Sequence, residues 1–245
     1  MKRVKLIIAY DGTNYCGWQV QINGITVEEV INKHLSELLG EEIAVIGASR
    51  TDSGVHALGN VAVFDTETKI PAEKISFALN QRLPEDIRIQ SSCEVASDFH
   101  PRFCDSVKTY EYRILNRRFM IPQMRYYTHF VYMPLDLEKM QKAAEYIVGK
   151  HDFASFCSSG SQVENTVRTV LSLDVTKEGD IISVRISGDG FLYNMVRIIV
   201  GTLLKVGLGI YPPEHVKEII EAKDRYAAGP KAPARGLTLI GIEYK

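Results

Sequence analysis

The sequence predicts an α+β protein built of two ferredoxin-like halves, each with the element order β-α-β-β-α-β. Two observations predict it: apolar runs of strand length alternate with stretches of helical apolar spacing, and the same order of elements occurs twice. With 45% hydrophobic and 24% charged residues, the chain has the composition of a globular protein. We expect antiparallel sheets around a central cleft, with one half in residues 1–98 and the other in residues 99–245.

The first half is expected to contain four strands and two helices. Thr26 and Glu29 form a capping box, in which the hydroxyl and the carboxylate satisfy free N–H groups at a helix start. Pro71 marks the start of the second helix, and a polar loop at residues 50–59 joins the middle strands. The predicted strands are residues 4–10, 43–49, 60–66 and 87–95, and the predicted helices are residues 26–39 and 71–82.

The second half repeats this order with one additional helix. Its middle strands are predicted to form a hairpin around Glu178, Gly179 and Asp180. The predicted strands are residues 107–115, 167–176, 181–187 and 237–244, and the predicted helices are residues 135–148, 192–206 and 213–222.

Charge limits how the protein can bind a polyanion. The net charge is −1, so a nucleic-acid partner must be held by a local basic surface rather than by the charge of the whole protein. Residues 102–125 contain six cations against Asp105 and Glu111, a local balance of +4. These cations are Arg102, Lys108, Arg113, Arg117, Arg118 and Arg125. The segment is a candidate RNA surface, although a solvated charged face has the same composition.

Cysteine spacing and hydropathy favour a cytoplasmic protein that binds no membrane. The four cysteines form no CxxC pair, which disfavours a zinc site or a disulfide framework and suits a reducing compartment. The first apolar run is too short for a signal peptide. The longest apolar stretch, residues 195–208, contains Arg197 and Lys205 and is not expected to span a bilayer.

The loop at residues 49–57, with the sequence SRTDSGVHA, contains the candidate catalytic residue Asp52. Taken alone, its Asp-Ser-Gly run is common turn chemistry, because Asp hydrogen-bonds its own backbone and Gly supplies positive φ. A metal site at Asp52 and His56 is less favoured, since no other ligand cluster accompanies them.

Arg197 is a candidate partner for that carboxylate. It is the only charge between Asp189 and Lys205, in a stretch that is apolar all round and therefore predicted to be buried. A buried guanidinium is costly without a fixed acid, and an Asp paired with it stays ionised and suits nucleophilic or electrostatic work. The alternative is an arginine at the edge of the core that extends to solvent. Gly201, one turn on, leaves room for another backbone or a ligand.

Six motifs, in order along nearly the whole chain, resemble the tRNA pseudouridine synthase A (TruA) family. They are YDGTNYCGWQ at residues 10–19, RTDSGVHA at 50–57, KTYEY at 108–112, GKHDF at 149–153, FLYNMVR at 191–197 and APARGLTL at 232–239. The resemblance implies a pseudouridine synthase fold, a homodimer, and an isomerase that converts uridines of the tRNA anticodon stem-loop (positions 38–40) to pseudouridine.

The resemblance also implies roles for individual residues. Asp52 matches the catalytic aspartate, Tyr110 an active-site tyrosine that contacts the target base, and Arg197 the arginine that pairs with the aspartate. Arg50 matches a basic residue that occupies the gap left by the flipped nucleotide. The family commonly has Gly before Arg-Thr-Asp, where this sequence has Ser49, so the resemblance does not fix how the loop begins.

The implied reaction needs no cofactor. It breaks the N1–C1′ bond, rotates the base, joins C5 to C1′ and removes the C5 proton, with no net redox change and no group donor. Asp52 either attacks covalently or acts as a base in an elimination, and the sequence leaves both routes open. Tyr110 is the expected stacking platform for the flipped base, or else a core tyrosine, and Tyr112 lies on the same face of the strand.

Two other classes of protein fit the sequence less well. A non-catalytic RNA-binding protein of two RRM-like halves would need an RNP-type run on its central strands, and no such run is present. A cysteine-nucleophile enzyme would use Cys157 with His151, but no third orienting group accompanies them.

Overall fold

Two units make up the chain in the computed structural model, which describes residues 1–160 and 163–245. The first unit comprises Met1–Ser106 and Thr238–Lys245, and the second comprises Val107–Leu237. The strands are β1 (Lys2–Tyr10), β2 (Ile46–Gly47), β3 (His56–Thr66), β4 (Ile87–Val95), β5 (Ser106–Asn116), β6 (His129–Val131), β7 (Gly149–Asp152), β8 (Val167–Glu178), β9 (Ile181–Gly188) and β10 (Leu237–Tyr244). The helices are α1 (Val27–Leu39), α2 (Ala72–Asn80), α3 (Leu137–Glu145), α4 (Met195–Gly207) and α5 (His215–Ala222).

The first unit has the predicted ferredoxin-like arrangement. Its order is β4-β1-β3, with β2 also on β3, and these neighbours are antiparallel. The C-terminal strand β10 joins this sheet, pairing in parallel with β3 at His56 and Ala57. Since β2 pairs with Ala62 and Val63, β2 and β10 border β3 at different ends. The strand predicted at residues 237–244 therefore lies in the sheet that carries the Asp52 loop.

The second strand is shorter than its sequence indicates. Residues 43–49 were expected to be extended, yet only Ile46–Gly47 form a strand. The reason is that side chains of α1 bind the preceding backbone: the Ile43 N–H donates to Ser36 Oγ at 2.9 Å and the Val45 N–H donates to Asn32 Oδ1 at 2.9 Å. These hydrogen bonds replace the ladder that a longer β2 would make.

The second unit contains the predicted hairpin in a sheet of order β5-β9-β8-β7, antiparallel throughout, with β6 parallel to β5. The strands β6 and β7 were not predicted. Helix α3 begins after Asp136, whose carboxylate accepts the Lys139 N–H. The prediction that α4 is buried is confirmed, because every residue of it except Lys205 is buried.

A backbone segment crosses α4 at Gly201. A β-carbon at this position would lie 1.6 Å from the Pro230 carbonyl oxygen, so only glycine permits the approach. The Gly229 N–H donates to Thr202 Oγ1 at 3.0 Å and fixes the segment in place. The expectation that Gly201 makes room for another backbone is confirmed.

The longest helices of the described ranges, α1 and α4, have 13 residues each. Within residues 1–160 and 163–245, no helix has the length and apolarity that crossing a membrane requires.

A second close approach fixes the loop between β2 and β3. The backbone N–H of Trp18 donates to the Thr51 carbonyl at 3.0 Å. Gly17 has φ +87°, and a β-carbon there would lie 2.6 Å from the same carbonyl oxygen. Trp18 is fully buried, so the segment that supports the loop is itself part of the core.

Replacing Gly17 with alanine should therefore destabilise the protein. The added methyl group meets the Thr51 carbonyl in a backbone conformation that L-residues rarely adopt, and we expect a loss of about 1–3 kcal/mol in the free energy of unfolding. Urea denaturation measures this loss. Gly241→Ala is the matched control, because a β-carbon at Gly241 has no neighbour within 4 Å. Equal stability of Gly17→Ala and Gly241→Ala would show that the loop does not rest tightly on Gly17.

Candidate active site

The Asp52 loop is a hydrogen-bonded turn that also presents its carboxylate. The Val55 N–H donates to the Asp52 carbonyl at 3.1 Å, and Gly54 adopts φ +76°. Tyr15, which is not part of the turn, stabilises it, since the Tyr15 carbonyl accepts hydrogen bonds from the Gly54 N–H at 3.3 Å and from the Ser53 hydroxyl at 3.2 Å. Asp52 itself is half-buried. The turn chemistry expected from the sequence is present, and it places the carboxylate in a fixed backbone setting.

A buried polar cluster lies behind the loop. The Tyr10 hydroxyl and Thr51 Oγ1 are 2.7 Å apart, and Asn60 Nδ2 lies 3.4 Å from the Tyr10 hydroxyl. The same Asn60 amide donates to the Ser49 carbonyl at 3.1 Å. All four residues are buried, and a satisfied polar network in a low-dielectric interior favours one conformation. Ser49, which replaces the glycine of the family pattern, is thus accommodated with its carbonyl bonded to Asn60.

His56 supports the loop from its C-terminal side. Its Nδ1 accepts the Gly12 N–H at 3.1 Å and lies 3.1 Å from Asp11 Oδ1. Asp11 Oδ1 also accepts the Thr13 N–H at 3.0 Å. Among the residues with described positions, no group of three or more His, Cys, Asp or Glu is arranged to hold a metal ion. The contacts of His56 are those of a residue that fixes the start of β3.

Tyr110 and Tyr112 lie on one face of β5 but have different surroundings. The Tyr110 ring meets the Phe191 ring edge to face, with centroids 5.3 Å apart and planes at 88°. Tyr112 is fully buried, its hydroxyl donates to the Pro233 carbonyl at 2.8 Å, and burial raises the pKa of that hydroxyl well above its usual range. Tyr112 is therefore a structural residue of the core, a role that the sequence left open for a tyrosine on this face of the strand.

Arg197 is a buried residue of α4, with an exposed fraction of 9%, and does not extend to solvent. Its Nε donates to the Ala232 carbonyl at 2.8 Å and its Nη1 donates to Asn194 Oδ1 at 3.0 Å. The Ala232 N–H in turn donates to the Arg197 carbonyl at 3.0 Å. The segment that crosses α4 at Gly201 thus fixes the direction of the guanidinium. The alternative of an arginine at the edge of the core is wrong.

Several of these supporting residues were not predicted. Tyr10 and Asp11 were noted only as part of a motif, and Asn60 only as the start of a strand. The available signal for Asn60 was a polar amide in an apolar strand, where burial requires hydrogen-bond partners.

Arg50 is exposed at the start of the loop, between the buried residues Ser49 and Thr51.

The basic segment at residues 102–125 does not form one surface. Side chains of a strand alternate between faces, so Lys108 and Arg113 lie on opposite sides of β5. Arg117 also forms an ion pair with Asp180 at 3.2 Å.

The alternative of a Cys157 nucleophile with His151 as its base is not supported by the contacts of these residues. Cys157 Sγ lies 3.6 Å from the Ser158 carbonyl oxygen, and His151 Nε2 lies 3.1 Å from the Val148 carbonyl oxygen. These contacts are to neighbouring backbone and give neither side chain the orientation of a nucleophile–base pair.

Comparisons with known proteins agree over both units. The model of the tRNA pseudouridine synthase family matches residues 6–104 and 143–245. The tRNA pseudouridine synthase A of Thermoanaerobacter sp. (strain X514) is 51% identical over 244 residues, and that of Acetivibrio thermocellus is 50% identical over 244 residues. In both comparisons the alignment covers 100% of each chain. Identity at half of all positions over the full length shows that the chain belongs to the tRNA pseudouridine synthase family of isomerases.

Proposed function

We propose that this protein isomerises uridines of the tRNA anticodon stem-loop (positions 38–40) to pseudouridine, with Asp52 as the catalytic carboxylate. The observation that carries the proposal is the fixed position of the Asp52 turn. The Tyr15 carbonyl accepts hydrogen bonds from Ser53 and Gly54, and the backbone N–H of Trp18 donates to the Thr51 carbonyl. Relatives about half identical to this chain have the name tRNA pseudouridine synthase A, which supports tRNA as the substrate. The position in the anticodon arm rests on the family resemblance.

Asp52 begins the cleavage of the N1–C1′ bond, as a nucleophile in a covalent route or as a base in an elimination route. Either route needs the carboxylate placed within a few tenths of an ångström before the substrate arrives, because reorganising a loop during the reaction would raise the barrier. The buried cluster of Tyr10, Thr51 and Asn60 supplies that rigidity.

Arg197 supplies the counter-charge for the Asp52 carboxylate, as the family resemblance implies. A guanidinium that is 9% exposed has lost most of its hydration and requires an anion to balance it. The two acceptors that hold its Nε and Nη1, the Ala232 carbonyl and Asn194 Oδ1, are neutral and orient the charge without cancelling it.

Tyr110 stacks on the target base, and Arg50 occupies the gap that the base leaves. Flipping a nucleotide costs a few kcal/mol, and a stacking contact offsets about 1–3 kcal/mol of it. The edge-to-face contact with Phe191 sets the plane of the Tyr110 ring in advance. Arg50 is exposed on the same loop as Asp52, so its guanidinium can enter the RNA helix at the position that the flipped base has left.

The protein acts as a homodimer without a cofactor, and its site of action is the cytoplasm. The dimer and the lack of a cofactor are implied by the resemblance. All four cysteines are free thiols, which suits a reducing compartment.

Asp52→Asn should abolish isomerisation while leaving the fold and tRNA binding nearly intact, because the change keeps the shape and removes only the charge and nucleophilicity. Release of tritium from tRNA labelled at uridine C5 measures the reaction, and mass spectrometry locates the pseudouridine. Asp174→Asn, at an exposed position of β8, is the control and should match the unchanged protein. Turnover by Asp52→Asn within about tenfold of the unchanged protein, or ~1.4 kcal/mol in barrier, would refute the assignment.

Arg197→Met should cost about 3–5 kcal/mol in the free energy of unfolding, because it leaves an acid without its counter-charge. Part of that loss should return when Asp52→Asn is added, since a neutral amide needs no counter-charge. The loss of hydrogen bonds to Ala232 and Asn194 should persist in the double variant. Stabilities from urea denaturation give the coupling energy, and strictly additive effects would show that the two residues do not interact.

Tyr110→Phe separates the ring from the hydroxyl. The ring remains, so tRNA binding should barely change, whereas the single-turnover rate should fall if the hydroxyl holds the base or moves the C5 proton, typically by about 10²–10⁴-fold. Tyr110→Ala should lose binding as well. Tyr112→Phe is the control, because it removes only the hydrogen bond to Pro233 and should lower stability with little effect on the rate. A rate for Tyr110→Phe equal to that of the unchanged protein would leave Tyr110 as a stacking platform alone.

A further inference from the structure

A rigid turn in the first unit, His100–Cys104, follows β4. The Phe103 and Cys104 N–H groups both donate to the His100 carbonyl, at 3.1 and 3.2 Å, and the Arg102 N–H donates to His100 Nδ1 at 3.2 Å. The Tyr244 hydroxyl donates to the Pro101 carbonyl at 3.0 Å, so β10 also holds the turn. The side chains of this turn therefore project from a fixed backbone.

The turn presents an aromatic face to solvent. Phe103 has an exposed fraction of 82%, and one face of its ring stacks on His100 with centroids 4.1 Å apart and planes at 22°. The opposite face of the ring is consequently open. A single exposed apolar side chain is ordinary on a protein surface, so this feature gains meaning only from its neighbours.

The neighbouring cation is fixed against the strand that leads to the Asp52 loop. Arg102 Nε donates to the Gly47 carbonyl at 2.7 Å, and partial burial lowers the pKa of this guanidinium. The positive charge of Arg50 lowers the same pKa further, whereas the Glu28 carboxylate raises it. Two guanidinium groups thus act on each other, and in the described part of the chain neither forms an ion pair with an acidic side chain. The binding of an external anion would therefore stabilise these two guanidinium groups.

The position of Arg102 relates this anion to the target nucleotide. Gly47 precedes Asp52 by five residues, so their Cα atoms are at most about 18 Å apart. Along a nucleic-acid strand that distance spans only a few nucleotides, because neighbouring residues of a stacked strand are separated by ~3.4 Å.

We propose that the His100–Cys104 turn binds the RNA strand beside the target uridine, with Arg102 on a backbone phosphate and the open face of Phe103 on an unpaired base. Arginine suits phosphate because its planar donors form paired hydrogen bonds, and aromatic rings accept any base by stacking. This inference rests on the proposed function for the identity of the RNA, and it adds a contact outside the residues assigned to the reaction.

The test is tRNA binding by the full-length protein as a function of salt concentration. Arg102→Gln should weaken binding about tenfold and reduce the slope of log K against log salt by about 0.7–0.9, the loss of one phosphate contact. Arg102→Lys keeps the charge and should keep the slope. Phe103→Ala should weaken binding on the order of tenfold with an unchanged slope, because stacking releases no counterions. A merely structural role for Arg102 would leave the slope unaltered.

Arg82→Gln and Phe77→Ala are the matched controls, since both residues are exposed in the same unit and lie outside the turn. Unchanged affinity and slope in Arg102→Gln and Phe103→Ala would overturn the inference, as would a change confined to the oligomeric state in analytical ultracentrifugation. Tritium release by the unchanged protein separates the two proposals. If it releases none but the Arg102 slope still falls, the proposed function fails while the RNA contact stands.

Discussion

The candidate catalytic loop depends on one close approach between backbone segments, Gly17–Trp18 against Thr51. Loop backbone has no ladder of its own, so its conformation is fixed only by hydrogen bonds from neighbouring segments. Here Trp18, buried in the core, donates to the Thr51 carbonyl, and the missing side chain at Gly17 makes the distance possible. Asp52 follows Thr51 directly in the chain, so the position of its backbone depends on the packing of the core.

The second unit uses the same physical device for its charged residue. Gly201 lets the Pro230 carbonyl approach α4, and this brings Ala232 to the Arg197 side chain. In both units a glycine removes a steric barrier, and a hydrogen bond to a backbone carbonyl then sets the position of a candidate site residue or of its neighbour in the chain. A buried charge cannot be positioned by solvent, so the neutral donors and acceptors around it determine its direction.

Local sequence signals predicted the fold well, and tertiary contacts account for the departures. The N-cap at Thr26, whose hydroxyl accepts the Glu29 N–H, and the all-round apolar stretch of α4 appear as expected, since both depend on residues close in sequence. The shortened β2 was missed because side chains of α1 take the N–H groups of Ile43 and Val45.

For the site, motif resemblance named the candidate residues but not their supports. The contact between Tyr10 and Asn60 joins positions 50 residues apart, and no local pattern encodes it. The basic segment failed as one surface for a related reason. Its charge is visible in the sequence, whereas the ion pair of Arg117 with Asp180 joins positions far apart in the chain and emerges only on folding.

The distribution of ion pairs explains how a protein of net charge −1 can bind a polyanion. A cation that already has an internal acid, as Arg3 has Asp65 at 2.7 Å, gains little from a phosphate because the acid must first be displaced or remains to repel it. Within residues 1–160 and 163–245, neither Arg50 nor Arg102 forms an ion pair with an acid, and the positive charge of Arg50 adds to the burial that lowers the pKa of Arg102, so an arriving phosphate relieves repulsion as well as adding attraction. What matters for RNA is therefore the number of cations left unneutralised by folding, and in the first unit two of these lie beside the strand that leads into the Asp52 loop.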